Sequence, residues 1–449
     1  MTNTRLFTLI TLIALLPLRL IAAIDMQAHV GSDEGKKAYT TYTNKQTDYY
    51  TGTYTYASLI ALKNDDLFDR INTLMENTIF TTGKSFSYSN LSTNYGPVDT
   101  DLNNKNNIIL FYNGASVSST WDSGKTFNKE HVWPQSFGAS DSRPMGYDMH
   151  AVRPCNPNIN SSRSNQGYAE TIDNAYTYIP DASYRGDCAR IIMYDYLTYG
   201  KAGNYYNKYY KEGEADLFNE FGTSDEKIFE SLHIMLKWHM QDPPSLTEMV
   251  RNDGAQDYQG NRNPLIDYPE LAIQVFLDDG ITTYTVTESS AATMWPAHQY
   301  TLSDGFIAYL TNSDGTHPAE SDFEVTGATY TYDASLGRLT VSEVTGNMTI
   351  SDDAGSTPEP EPDPEPDPAT YTVTWMANGA VYRTATYNTN GTQTIQLPAA
   401  PVACAGYTFV GWTTEANYSN PFCAPDDIFT SATHKVTSNL TYYAVFKKD

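Results

Sequence analysis

Between Phe127 and Tyr168 the chain gathers side chains suited to proton transfer and cation binding. Glu130 and His131 are adjacent, Asp148 and His150 form an Asp-x-His pair, and Asn160, Arg163 and Asn165 follow in a Ser-rich run. His131 suits removal of a proton from water, because an unperturbed imidazole titrates near neutrality. Glu130 and Asn160 suit a hard cation: Mg²⁺ prefers oxygen donors and keeps several waters, so one carboxylate and one amide oxygen are adequate. A base beside such a cation is what phosphodiester hydrolysis requires. Zinc-protease chemistry is disfavoured, since there is no His-Glu-x-x-His and no cysteine pair at zinc spacing.

Each residue also has a plainer reading. A Glu-His dipeptide alone is usually surface decoration. Asp148-x-His150 reads as a buried, hydrogen-bonded strand pair. Asn160 with Ser161 and Ser162 reads as a helix cap, and Arg163 as a surface ion-pair partner. The chemical reading gains only because all the plain ones must hold together.

The elements that must position these groups are legible as apolar periodicity. Asp65 to Thr78 predicts an amphipathic helix, with Leu67, Ile71, Leu74 and Met75 on one face. Ala189 to Tyr199 predicts a second helix, too continuously apolar for an exposed position. Ile228 to His239 predicts a third, stopped by Asp242-Pro243-Pro244. After Ile281 the helical patterns cease, and short Thr/Val/Tyr runs at Tyr284, Ala328 and Arg338 predict strands.

Composition sets further bounds. With 28 basic and 53 acidic residues the formal net charge is −25, so bulk electrostatics cannot hold a polyanion. A polyanionic substrate would need local cations. Arg5, the apolar run Leu6 to Leu18 and the small pair Ala22-Ala23 read as an export leader spanning residues 1–23, predicting a secreted, cell-surface or periplasmic protein. Residues 40–280 form the mixed helix-strand region and 281–353 a small β module. Alternating proline and acid over 354–369 reads as an extended spacer, and 370–449 as a second β module. The four cysteines, Cys155, Cys188, Cys404 and Cys423, permit two bridges without specifying them.

Glu130-His131-Val-Trp-Pro134-Gln-Ser136, Asp148-x-His150 with Arg153-Pro154, and Asn160-Ser-Ser-Arg163-Ser-Asn165 resemble the signature of the bacterial endonuclease I family. Arg185-Gly-Asp-Cys-Ala-Arg190, Trp238-His-Met-Gln-Asp-Pro243 and Gln259-Gly-Asn261-Arg-Asn263-Pro264 extend the resemblance. It implies an α+β fold: a ββα-metal finger nuclease domain with surrounding helices, here followed by the two small all-β modules. It implies His131 as general base and Glu130 and Asn160 as ligands of Mg²⁺, with Ca²⁺ or Mn²⁺ as substitutes. Arg143 and Arg163 become candidate phosphate contacts, and Asp148, His150, Asn165, Asn261 and Asn263 supporting residues. DNA, and RNA as well, are the implied substrates. The C-terminal segment, with Gly406-Tyr-Thr-Phe-Val-Gly-Trp412, resembles the Listeria–Bacteroides β-grasp repeat, whose aromatics read as core. A cell-surface or matrix ligand for the β modules is the associated expectation. The rival is a surface adhesin or nucleic-acid-binding matrix protein with an inert nuclease fold. Because every motif lies upstream, a chain ended after Asp279 is expected to remain active.

Overall fold

The computed structural model describes residues 33–170, 175–200, 221–222, 227–352, 370–388, 395–403, 405–414 and 439–449. The expected leader, the expected proline-acid spacer, and Cys404 and Cys423 lie outside these residues. The architecture is α+β, in two compact units, residues 1–355 and 356–449.

Within the first unit, α1 (Asp33–Tyr49), α2 (Tyr56–Ile60), α3 (Asn64–Thr78) and α4 (Tyr88–Val98) precede a three-stranded antiparallel sheet, β1 (Thr100–Asp101), β2 (Asn104–Ile109) and β3 (Ser116–Ser118). In α3, Leu67, Phe68, Ile71, Leu74 and Met75 are buried, and Asp65 and Asp66 occupy the first turn, where carboxylates favour the helix dipole. Its Asn72 amide donates to the carbonyls of Leu197 and Thr198 at 2.8 and 3.2 Å, tying it to the central helix described below.

A hairpin and helix follow: β4 (Asn128–His131), the short α5 (Pro144–Tyr147), β5 (Val152–Cys155) and α6 (Pro157–Arg163). α6 has only seven residues, so its start needs specific help. Asn156 supplies it, accepting from the amides of Asn158 and Ile159, with Pro157 preset at the first helical position. The helix cap is therefore Asn156, and Asn160 is left for other work.

Two short parallel strands, β6 (Gly167–Tyr168) and β7 (Thr177–Tyr178), lead to α7 (Arg185–Tyr199), the buried axis of the unit. It begins a turn earlier than its apolar run, because Arg190 inside it is neutralised by Glu248 at 2.7 Å and Asp187 at 3.1 Å. The next helix, α8 (Leu232–Gln241), starts later than expected. Ser231 caps it by accepting from Ile234, and Ile228–Glu230 instead run beside Tyr168 through backbone hydrogen bonds of 2.7 and 2.8 Å. α9 (Leu246–Gln259) opens with a Ser245–Glu248 capping box and closes on Gly260 at φ +107°. A Cβ there would meet the Thr78 carbonyl at 2.4 Å, so the position suits only glycine. α10 (Pro264–Asp267) and α11 (Leu271–Val275) complete the helical part.

Strands β8 (Tyr284–Glu288) to β15 (Met348–Asp352) build two four-stranded sheets. Their apolar residues join one continuous core with the helices, running from Tyr50 to Ile350. Asp304 receives His233 at 2.7 Å and Lys237 at 3.3 Å, and its carbonyl receives Gln241 at 2.9 Å. Trp295 and Tyr309 pack on Tyr39, Tyr42, Met249 and Ile266. This packing adds a stability cost to the chain ended after Asp279, whose activity is a separate expectation. Such a chain uncovers that apolar surface, and its Tm is expected to fall at least about 5 °C below that of a chain ended at Gly355. Equal thermal melts of the two would refute the shared core.

Glu270 is buried against the Tyr56 hydroxyl, with Oε2 lacking any described partner. Burial pushes its carboxyl up to about 7 from 4.5. Because the folded value lies above the unfolded one, the protonated form stabilises the fold below pH 4.5, and that contribution is lost as pH rises through 7. Some 3 kcal/mol is at stake, at about 1.36 kcal/mol per pKa unit. Glu270→Gln should flatten the decline in stability between pH 5 and 8; unchanged denaturant melts across that range would contradict the shift.

In the second unit, strands Thr370–Ala377, Ala380–Asn388, Tyr407–Thr413 and Leu440–Lys448 form one sheet in which the first and last pair in parallel. Trp375, Trp412 and Tyr442 are buried in its core, while Tyr407 is exposed. In the first unit Cys155 and Cys188 are both buried free thiols.

Candidate functional site

β4 and β5 pair antiparallel, with Glu130 opposite Arg153 and His131 opposite Val152. Alternation along β4 sends Glu130 to one face and Lys129 and His131 to the other. Glu130 is 1% exposed, yet it is not stranded. Its Oε1 accepts from the Tyr112 hydroxyl at 2.7 Å and from Arg163 at 3.2 Å, and no described residue donates to Oε2. Burial pushes the carboxyl up, while Arg163 and the Tyr112 hydrogen bond pull the other way.

Asn160 projects from α6 toward β4. Its Nδ2 donates to Asn128 Oδ1 at 2.9 Å and to the Lys129 carbonyl at 3.1 Å. Both hydrogens are thereby held, the amide is fixed, and Oδ1 receives no hydrogen bond from a described residue. Glu130 and Asn160 so each keep one oxygen in reserve, and oxygens of this kind fit a hard divalent cation that retains water. Among the described residues no three His, Cys, Asp or Glu side chains are grouped so as to hold a metal ion, and Glu130 is the carboxylate of this donor pair.

His131 is held from two sides. Its Nε2 lies 3.1 Å from the Gly146 carbonyl, and the Tyr88 ring stacks on the imidazole at 5.5 Å and 22°. The Gly146 carbonyl only accepts and lies closer to Nε2 than the Gln135 amide, a donor at 3.4 Å, so the shorter contact assigns the hydrogen to Nε2 and the basic lone pair to Nδ1. Burial pushes the imidazolium down to about 4, against the Gly146 contact and the Asp141 charge, which leaves the ring neutral at pH 7. Gly146 can approach because it lacks a side chain: a Cβ would sit 1.9 Å from the Ser140 carbonyl oxygen.

A second cluster stands behind this one. Asp148 accepts from Tyr194, Tyr199, Gln259 and the His150 amide, each at 2.7 Å. His150 Nε2 meets the Asn261 carbonyl at 3.2 Å, and the Asn261 amide donates to Tyr194 at 2.7 Å. Asn263 caps α10 and donates to the Arg190 carbonyl. Asp148 and His150 are buried, but they occupy the turn before β5 rather than a strand, since Asp148 carbonyl bonds to Ala151 and Val152 curl the chain there.

Three sequence-derived residues behave otherwise than expected or lie further off. Arg163, a candidate phosphate contact, is 1% exposed and faces inward. Its guanidinium binds Glu130 and the carbonyls of His131 and Val132, both at 2.8 Å, over the Tyr168 ring. It orders the site from within instead of reaching a ligand. Asn165, expected to brace the site, is exposed just beyond α6. Arg143 sits partly exposed at the start of α5. Sequence reasoning missed Tyr112, Tyr88 and Gly146. Tyr112 is eighteen residues upstream of Glu130 and its hydroxyl also meets Tyr168 at 2.6 Å, a juxtaposition that no local spacing announces.

Comparison with known proteins follows the same region. The family described as endonuclease I matches residues 67–180 and 173–270, and the Listeria-Bacteroides repeat domain matches residues 371–445. An extracellular ribonuclease of Bacillus amyloliquefaciens is 31% identical over 204 residues, covering 42% of this chain and 68% of the relative. An extracellular ribonuclease of Bacillus subtilis (strain 168) is similar to the same extent. The matched stretch contains the β4–β5–α6 finger, the central helix α7 and the closing segment through Asn263, and on that footing the chain belongs to the endonuclease I family, a family of hydrolytic nucleases.

Proposed function

We propose that the protein is an exported, divalent-metal-dependent endonuclease that hydrolyses phosphodiester bonds in DNA and RNA with little sequence preference. The observation that carries this reading is the pairing of a neutral, doubly braced His131 with two reserved oxygens on Glu130 and Asn160. Export is supported by the leader-like residues 1–23 and by the extracellular relatives. Among the described residues no helix is long and apolar enough to cross a membrane.

In this reading Nδ1 of His131 takes a proton from water as the water oxygen bonds to phosphorus. The P–O3′ bond breaks, and the leaving oxygen is protonated from solvent, which gives a 5′-phosphate and a 3′-hydroxyl. The Gly146 carbonyl holds the Nε2 hydrogen and so fixes the ring and its tautomer. Asn128 fixes the Asn160 amide, and Tyr112 and Arg163 fix Glu130. Mg²⁺ bound by Glu130 Oε2 and Asn160 Oδ1 would supply charge neutralisation at the phosphate. No base-reading element is required, because phosphate contacts carry no sequence information.

The nucleophile is water, not a ribose hydroxyl, and this separates the reading from cyclising ribonuclease chemistry. Purified protein lacking residues 1–23 should nick plasmid DNA and cut both RNA and 2′-O-methyl RNA with Mg²⁺, and should lose all three activities in EDTA. Cleavage confined to unmodified RNA, or persisting in EDTA, would overturn the mechanism.

A further inference from the structure

Lys129 shares a face of β4 with His131, two residues along, so their Cα atoms are about 6.7 Å apart. Its ammonium lies 3.9 Å from the centre of the Tyr88 ring and 5.1 Å from that of Trp121. Tyr88 is the ring that stacks on His131. Trp121 is anchored edge-on to Phe127 at 5.2 Å, and Phe127 is fully buried. The slot is thus built from the core outward and places a cation beside the candidate general base.

The buried arginines around this site are committed elsewhere. Arg163 is bound to Glu130 and two carbonyls, Arg251 to Asp99 at 2.7 Å with Arg153 beside it at 3.5 Å, and Arg190 to Glu248. Lys129 differs, as no described carboxylate lies within ion-pair distance of it. An ammonium held by ring faces keeps its charge available to an anion while losing little freedom on binding. It is also partly exposed. The exposed Asp141 exerts the one opposing charge felt at both Lys129 and His131, and a bound phosphate would compete with it.

We propose that Lys129, held between Tyr88 and Trp121, is a substrate-binding residue that contacts the phosphate next to the one attacked. This rests on the nuclease reading above. It provides the local cation that a chain of net charge −25 needs in order to hold a polyanion beside its base.

The test uses a 20-nucleotide single-stranded DNA with the protein lacking residues 1–23, as wild type, Lys129→Gln and Lys129→Arg. Lys129→Gln should raise KM roughly tenfold at low salt with kcat within about twofold, and reduce the slope of log affinity against log salt by about 0.7. Lys129→Arg should restore most of both. A merely structural lysine would instead lower Tm and kcat and leave the salt slope unchanged, and that result would overturn the proposal. If wild type cleaves and Lys129→Gln keeps its KM and slope, only this inference fails; if wild type does not cleave at all, the nuclease reading fails first.

Discussion

His131→Ala is expected to lower kcat at least roughly 100-fold, with little change in oligonucleotide affinity. Burial leaves the imidazole neutral at pH 7 with a free ring nitrogen, whereas the oxygens of Glu130 and Asn160 are assigned to the cation in this reading. Glu130 holds its Oε1 between Tyr112 and Arg163, and the Gln135 amide, 3.4 Å from Nε2, is not basic. Binding should survive, because His131 is only 8% exposed and offers little surface to a ligand. Single-turnover cleavage separates the two effects. A wild-type rate in the variant would remove His131 from the mechanism. A proportional loss of affinity and rate would instead point to collapse of the Tyr88–His131 stack.

The candidate side chains at β4 were readable in the sequence because they are local. Adjacency places Glu130 and His131 on opposite faces of one strand, and Pro157 with Asn156 starts α6 where Asn160 must stand. Helix α3 was readable for the same reason, since five apolar side chains on one face leave it only one way to pack. What could not be read depends on distant neighbours. Arg163 looks like a surface cation in sequence, and only the closure of α6 over β4 turns it toward Glu130. Ile228 continues an apolar stripe, yet Ser231 intercepts the Ile234 amide and hands Ile228 to Tyr168 instead. Composition placed a division near Ile281, but Trp295 and Tyr309 find their burial partners on helices far upstream. A change in local pattern marks a change of secondary structure, and the apolar surfaces on either side of it still seek each other.

Arg163→Leu is expected to destabilise the first unit by about 3–5 kcal/mol, the range for removing one partner of a buried ion pair. Both side chains are almost wholly buried, so solvent cannot replace the guanidinium that Glu130 loses. Two carbonyls, of His131 and Val132, lose their donors at the same stroke. Leucine fills much of the volume over Tyr168, and the loss is therefore one of charge and hydrogen bonds more than of packing. Glu130→Gln in the same background should recover at least about 1 kcal/mol, because a neutral amide tolerates the dry site better than an unpaired carboxylate. Denaturant melts of the two single variants, the double variant and wild type close the cycle. An arginine that served as a phosphate contact would behave in the opposite way, raising KM while leaving the melt untouched. A cost below about 1 kcal/mol for Arg163→Leu would thus return Arg163 to the substrate side of the site, and would leave Tyr112 as the sole described support of Glu130.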